Sequence, residues 1–201
     1  MRTGGVRNPS YSSAMTTVSI PDVTRELIEQ LEFHWTLHLR PKLDGLTDEE
    51  YLWEPVADCW NLRPRAEASA PAANYAGTHV ADFAYPEPDP APVTTIAWRL
   101  AHVIVGVFGA RNAAHFAGPA IDYETHLYAP DAATALAQLD NAYELWITGV
   151  RSLGERLVSP VGQAEGPYAD RQYITLVLHI HREVIHHGAE ILLLRDLYRN
   201  R

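Results

Sequence analysis

Apolar residues recur at steps of three and four in four separate stretches of the chain, which is the period of an amphipathic α-helix. A short helix over residues 48–53, capped by Thr47, follows the first stretch. Alternation typical of strands is nearly absent. We therefore expect an all-α protein, a four-helix bundle. Its long helices are predicted over residues 21–43, 94–116, 131–157 and 171–198.

Residues 56–92 interrupt this periodicity between the first two long helices. The segment contains six prolines and few regularly spaced apolar residues. A loop of this length inside a small domain is uncommon and is usually functional or wrapped over the core. Trp60, His79 and Tyr85 are candidates to anchor this loop and to line the mouth of a site.

The fourth predicted helix carries an unusual density of metal-binding side chains. Four histidines and two glutamates lie within residues 179–190. Side chains four residues apart share one face of a helix, so a carboxylate and an imidazole at that spacing can bind one metal ion. Three pairs have this spacing, namely Glu183 with His187, His186 with Glu190, and His179 with Glu183.

A further ligand is expected from another helix, because bundles build metal sites from facing helices. His102 is the leading candidate, since it lies in the apolar stretch WRLAHVIVGVFG and would be costly to bury without a partner. His34 and His38 form another pair at four-residue spacing, expected on the helix surface or in a pocket wall. His181 is expected to face solvent or a partner chain. Histidine and carboxylate suit a divalent metal, with zinc as the first choice and nickel, iron or manganese as alternatives.

Composition narrows the class of protein. The chain has 201 residues, 47% of them hydrophobic and 20% charged, as in a globular protein. We expect a flexible leader over 1–16 and one domain over 17–201.

A formal net charge of −9 argues against nucleic acid or an anionic membrane as partner, and no apolar run is long enough to span a bilayer. The single cysteine, Cys59, allows no internal disulfide, which favours the cytoplasm.

The order of several short motifs resembles the DinB-like proteins, also called the DinB/YfiT group. The motifs are GLTDEEYLWEP, CWNLRPR, TTIAWRLAHV and REVIHHGAEILLLRDLY, and together they span most of the chain. The resemblance implies a four-helix bundle with an up-down-down-up arrangement. It also implies a divalent metal held by three side chains, and a homodimer.

The resemblance also implies which residues bind the metal. The WRLAHV motif places the ligand of the second long helix at His102. The form His-x-x-x-His before glycine, common in the group, would require Arg182 and His186, and arginine is not a ligand. The N-terminal domain of mycothiol-dependent maleylpyruvate isomerases is similar and uses Glu-x-x-x-His, which Glu183 and His187 match. The predicted ligands are therefore His102, Glu183 and His187, with His186 as the rival for the last position.

The activity implied by this resemblance is that of a metal-dependent transferase. Such an enzyme activates a low-molecular-weight thiol, such as mycothiol, and transfers it to a small-molecule substrate. The alternative is a non-catalytic metal-binding protein or a stress-related structural dimer. The candidates for contact with a substrate carboxylate are Arg99, Arg111 and Arg182.

Overall fold

The computed structural model describes residues 20–68 and 77–201, so the predicted leader over 1–16 lies outside the described residues. The described chain is mostly helical, with one small two-stranded sheet. None of its helices is long and apolar enough to cross a membrane. The α-helices are α1 (Ile20–Phe33), α2 (Asp48–Tyr51), α3 (Ile96–His102), α4 (Ala110–His115), α5 (Ala132–Arg151) and α6 (Tyr173–Arg199).

The first long helix changes its winding before it ends. After α1 the chain continues as a π-helical stretch, His34–Leu39, and then as a 3₁₀ turn, Arg40–Leu43. Pro41 lies in that turn and has no N–H to continue the α-helical hydrogen bonds. The helical segment therefore ends at Leu43, where the sequence predicts its end.

The second long helical segment comprises α3, a π-helical stretch over Val103–Gly109, and α4. The side chain of Thr95 caps its start by accepting a hydrogen bond from the backbone N–H of Trp98 at 3.2 Å. The same hydroxyl donates to Asn61 Oδ1 at 2.8 Å. This pair of bonds attaches the long loop to the helix that carries His102.

The fourth long helix forms close to where the pattern predicts it, whereas the third, α5, ends at Arg151 and not at the predicted residue 157. Asp131 caps α5 by accepting from the backbone N–H of Thr134 at 2.7 Å. A short 3₁₀ helix, Gly154–Val158, follows α5 because Gly154 adopts a positive φ that ends the α-helix. A second 3₁₀ segment, Gln163–Tyr168, leads to α6.

The loop predicted over 56–92 contains the sheet, which corrects the expectation of a purely helical protein. Strands β1 (Leu62–Pro64) and β2 (His79–Ala81) pair antiparallel, with Leu62 opposite Ala81. Leu62, Val80 and Ala81 are buried, so the hairpin adds to the core. Three-residue strands are too short to give the alternating pattern by which strands are recognised in a sequence.

The core lies where the long helical segments meet. α1 packs on α5 and α6, and α3 packs on the same two helices. The indole of Trp35 stacks on the ring of Tyr143 at 3.9 Å between centroids, with the two rings parallel. Trp146 is fully buried. This packing fixes the positions of α3 and α6, whose facing side chains form the candidate site.

A buried ion pair fastens the C-terminal part of α6 to α2. Arg195 Nε lies 2.7 Å from Glu50 Oε1, and both side chains are almost fully buried. The guanidinium also donates to the backbone oxygens of Lys42 and Asp44. These bonds compensate both charges and anchor the C-terminal end of α6, in addition to the core packing of the rest of the helix.

Candidate metal centre and adjoining cavity

His187 on α6 is the centre of a cluster of titratable side chains. It is buried, and it lies between two carboxylates of the same helix. Its Nδ1 atom is 2.8 Å from Glu190 Oε2, and its Nε2 atom is 3.6 Å from Glu183 Oε2. Because a carboxylate accepts a hydrogen bond, we assign the ring proton to Nδ1, which leaves the lone pair on Nε2. The nitrogen that faces Glu183 is therefore free to bind a cation.

His102, at the end of α3, faces His187 across the helix interface. The two ring centroids are 4.8 Å apart, and the rings are nearly perpendicular. Nδ1 of His102 lies 2.8 Å from the hydroxyl of Tyr123. Burial, followed by the charges of His187 and Arg99, lowers the pKa of His102 to about 4, so its ring is neutral at neutral pH. Burial raises the pKa of Tyr123 to about 12, so the hydroxyl stays protonated.

The two histidines share an arrangement that is common around protein-bound metals. Each ring has its Nδ1 atom against another polar group, which is Glu190 for His187 and Tyr123 for His102. Such outer contacts orient the ring and leave Nε2 as the ligand atom. Glu183 adds a carboxylate beside His187, so the donor types fit a divalent cation.

The three side chains whose ligand atoms the structure does bring together are a different set from the predicted one. Among the described residues, His186, His187 and Glu190 offer ligand atoms that all lie within 4.8 Å of one another. However, Arg99 Nη1 is 2.9 Å from Glu190 Oε2 and 3.4 Å from His187 Nδ1. A metal ion placed between these atoms would stand beside a guanidinium, and the two positive charges would repel each other.

A cavity of about 590 Å³ opens beside His102. This volume is in the range of small-molecule binding sites. Its walls combine residues of the long loop, of α3 and of the segment that precedes α5. The lining residues with aromatic rings are Trp60, Phe83, Tyr85, Trp98, His102, Tyr123 and Tyr128.

A model of the DinB superfamily matches residues 30–191. The chain belongs to the DinB superfamily. The resemblance inferred from the order of its motifs is therefore confirmed. Comparison with curated proteins and with solved structures gave no match. Members of the superfamily bind metals in general, and the cluster of histidine and glutamate on α6 agrees with that property.

The three arginines expected to contact substrate have partners within this DinB-superfamily chain. Arg99 is paired with Glu190, and Arg111 lies 3.4 Å from Glu165. Arg182 is exposed and lies 3.3 Å from Glu183 Oε1. None of the three is among the residues that line the cavity.

Of the three loop residues expected at the mouth of the site, two line the cavity and one does not. Trp60 and Tyr85 line the cavity. His79 lies in β2, where its Nδ1 atom is 3.0 Å from the hydroxyl of Thr78, and it is not among the lining residues. The expected place of His79 at the mouth of the site is therefore not found.

Two further histidines, His181 and His115, have buried side chains. His181 was expected to face solvent or a partner chain, and this is wrong, because its side chain is buried against Trp146 with ring centroids 6.1 Å apart. His115 is buried and lies 2.9 Å from Glu165 Oε1. The hydrogen bond from His115, together with the charge of Arg111, lowers the pKa of Glu165.

The outer partners of the cluster were missed by sequence reasoning. Tyr123 lies in an irregular segment with no motif, and its contact with His102 depends on how that segment folds back on α3. Glu190 was considered only as a partner of His186, whereas it also binds His187 and Arg99. Its spacing of three residues from His187 could have indicated the contact.

Proposed function

We propose that the protein is a metal-dependent transferase that activates a low-molecular-weight thiol of the mycothiol type. The proposed ligands are His102, Glu183 and His187, and zinc is the first choice of metal. The observation that carries the proposal is the paired orientation of the two imidazoles, each with its Nδ1 atom engaged by Tyr123 or Glu190.

Electrostatics favours this ligand set over the one that contains His186. Arg99 lies against Glu190, so the carboxylate of Glu190 is already compensated by a positive charge. Glu183 has the exposed side chain of Arg182 near its oxygen Oε1, whereas its oxygen Oε2 faces His187. Because Arg182 is exposed and Arg99 is mostly buried, solvent screens the arginine charge beside Glu183 more strongly than the arginine charge beside Glu190.

The chemistry needed for thiol transfer fits the surroundings of the proposed ligands. A bound divalent metal would act as a Lewis acid that keeps a thiol ionised near neutral pH. The chain itself supplies the neutral imidazole of His102 at the wall of the cavity, so a co-substrate bound there lies beside the proposed centre. The aromatic walls would also limit the access of water to the reacting groups.

The test is metal content by elemental analysis of tag-free protein loaded with zinc. We expect about one metal ion per chain in the wild type. His102→Ala and Glu183→Ala should lose most of it. His186→Ala is the matched control, since His186 is exposed and adjacent to His187, and it should keep the metal.

The opposite result would indicate a different set of metal ligands. If His186→Ala lost the metal while His102→Ala kept it, the ligand set would be His186, His187 and Glu190. If the wild type bound no zinc, nickel or manganese, the transferase proposal would lose its basis. The activity itself is tested by offering mycothiol and an electrophile to the metal-loaded protein, with Glu183→Ala as the inactive reference.

A non-catalytic metal-binding homodimer is the second candidate, favoured by exposed apolar residues along α6. We also propose the finer architecture as part of this picture. The four long helical segments would form an up-down-down-up bundle within a single domain over 17–201. A cytoplasmic location remains our proposal, based on the single cysteine.

A further inference from the structure

The cavity wall is a continuous series of rings that includes a proposed metal ligand, His102. Phe83 lies 5.9 Å from Trp60, and Trp60 lies 5.7 Å from Trp98, measured between ring centroids. Trp98 is stacked at 5.8 Å on His102, which is stacked at 6.4 Å on Tyr123. Such ring faces and edges can stack on, or make edge contacts with, a flat apolar ligand.

This wall is held in place by hydrogen bonds that do not require a ligand. The indole N–H of Trp98 donates to the backbone oxygen of Asp82 at 2.9 Å. The backbone of Trp60 is held on both sides, by a bond from its N–H to Val93 at 2.9 Å and by a bond from Thr95 at 3.0 Å. Because the rings are positioned before binding, the entropy cost of ordering side chains when a ligand binds is small.

The charged side chains of the cavity are of one sign. Asp82, Glu87 and Glu124 are among the lining residues, and no lysine or arginine among the residues that the structure describes lines the cavity. Asp82 is compensated by Arg63 at 2.7 Å. Glu87 and Glu124 are exposed at the rim, so they repel an anion that approaches.

We infer that the cavity is a specificity pocket for a co-substrate that presents a flat aromatic group without negative charge. The inference deepens the proposed function, because it names the class of molecule that would receive the thiol beside His102. It also separates this chain from enzymes that act on small dicarboxylates, whose anionic substrates require basic side chains in the pocket.

The test uses two probes of equal shape and different charge, naphthalene acetamide and naphthalene acetate. Their binding to the full chain is measured by isothermal titration calorimetry at pH 7, before and after treatment with a chelator. We expect the neutral amide to bind several-fold, up to about tenfold, more tightly than the carboxylate, because exposed charges interact only weakly through water. The difference should shrink at high salt, where exposed charges are screened.

Two tryptophan variants test the location. Trp60→Ala should weaken binding of the amide by about tenfold, since it removes a central ring of the wall. Trp53→Ala is the matched control, because Trp53 is also half-buried but packs on Tyr198, outside the cavity. The double variant Glu87→Gln and Glu124→Gln should bring the affinities of amide and carboxylate together.

Equal or tighter binding of the carboxylate would overturn the inference, and so would an amide affinity that Trp60→Ala leaves unchanged. Measured after chelator treatment, these readouts do not depend on a bound metal. Binding of the amide by a chain that takes up no metal would therefore retain the pocket and reject the transferase. A chain that takes up metal but prefers the carboxylate after the metal has been removed by the chelator would do the reverse.

Discussion

At the scale of single residues, His181 shows how burial changes the behaviour of a side chain. Its side chain is buried on α6, and its Nε2 atom has no hydrogen-bond partner among the described residues. Burial lowers the pKa of His181 to about 4. The neutral form is therefore the one that the folded protein accommodates, whereas an unfolded chain binds a proton near pH 6.5.

This difference predicts a loss of stability in mild acid. Between pH 6.5 and about 4 the unfolded state binds the proton that the folded state rejects, so the free energy of unfolding falls as the pH falls. His181 should account for up to roughly 3 kcal/mol of that loss. In His181→Leu the dependence on pH in this window should be flatter by that amount, as measured by urea denaturation at a series of pH values.

A packing control separates titration from volume. Val184→Ala removes buried apolar atoms from the same helix without removing a titratable group. It should lower the free energy of unfolding equally at every pH. If His181→Leu and the wild type lost stability in parallel between pH 6.5 and 4, the assignment to His181 would be wrong.

At the scale of helices, a glycine in the π-helical stretch after α3 leaves room for Tyr123 beside His102. Gly106 lies four residues after His102, and a methyl group added there would overlap the hydroxyl of Tyr123. The absence of a side chain at Gly106 therefore allows the hydrogen bond to Nδ1 of His102. A glycine in this helical stretch thus leaves room for the hydroxyl that contacts a proposed ligand.

We expect Gly106→Ala to weaken zinc binding by about tenfold or more, the usual effect of losing an outer partner of a ligand. Tyr123→Phe removes the hydroxyl without altering the backbone and should produce a similar loss. Tyr85→Phe is the control, since Tyr85 lines the same cavity but is largely exposed. Affinity is measured by competition with a chromogenic chelator, and full affinity in Tyr123→Phe would remove Tyr123 from the site.

The helices could be predicted from the sequence because their apolar spacing is local information. The end at Leu43 and the caps at Thr95 and Asp131 follow from neighbouring residues alone. The sequence does not show which residues of α6 face the core, because this helix carries apolar residues on more than one face. His181 was misplaced for that reason, and Tyr123 was missed because its contact joins segments far apart in sequence.

At the scale of the whole molecule, the proposed centre and the cavity are joined by α3. Trp98 and His102 lie one turn apart on this helix, so one side chain forms the wall of the cavity and the next reaches α6. The core packing of α3 against α5 and α6 fixes both at once. Binding of a co-substrate and binding of a metal would therefore use one rigid element.

The outer face of α6 leads to the last prediction, which concerns assembly. Leu178, Ile185 and Leu193 are exposed and lie on one side of the helix, opposite its buried face. A row of apolar side chains on a long helix is typical of a surface that another chain covers. The proposed homodimer would bury this row, and its formation should then depend on the apolar character of these residues.

We expect the wild type to sediment as a dimer and Leu193→Glu to sediment as a monomer, because a buried carboxylate without a partner opposes association. Val56→Glu is the matched control, since Val56 is similarly exposed but lies in the loop that follows α2. It should leave the dimer intact. Circular dichroism establishes that both variants are folded. A monomeric wild type at micromolar concentration would reject the dimer, and it would leave the metal site and the cavity unaffected because neither uses this face.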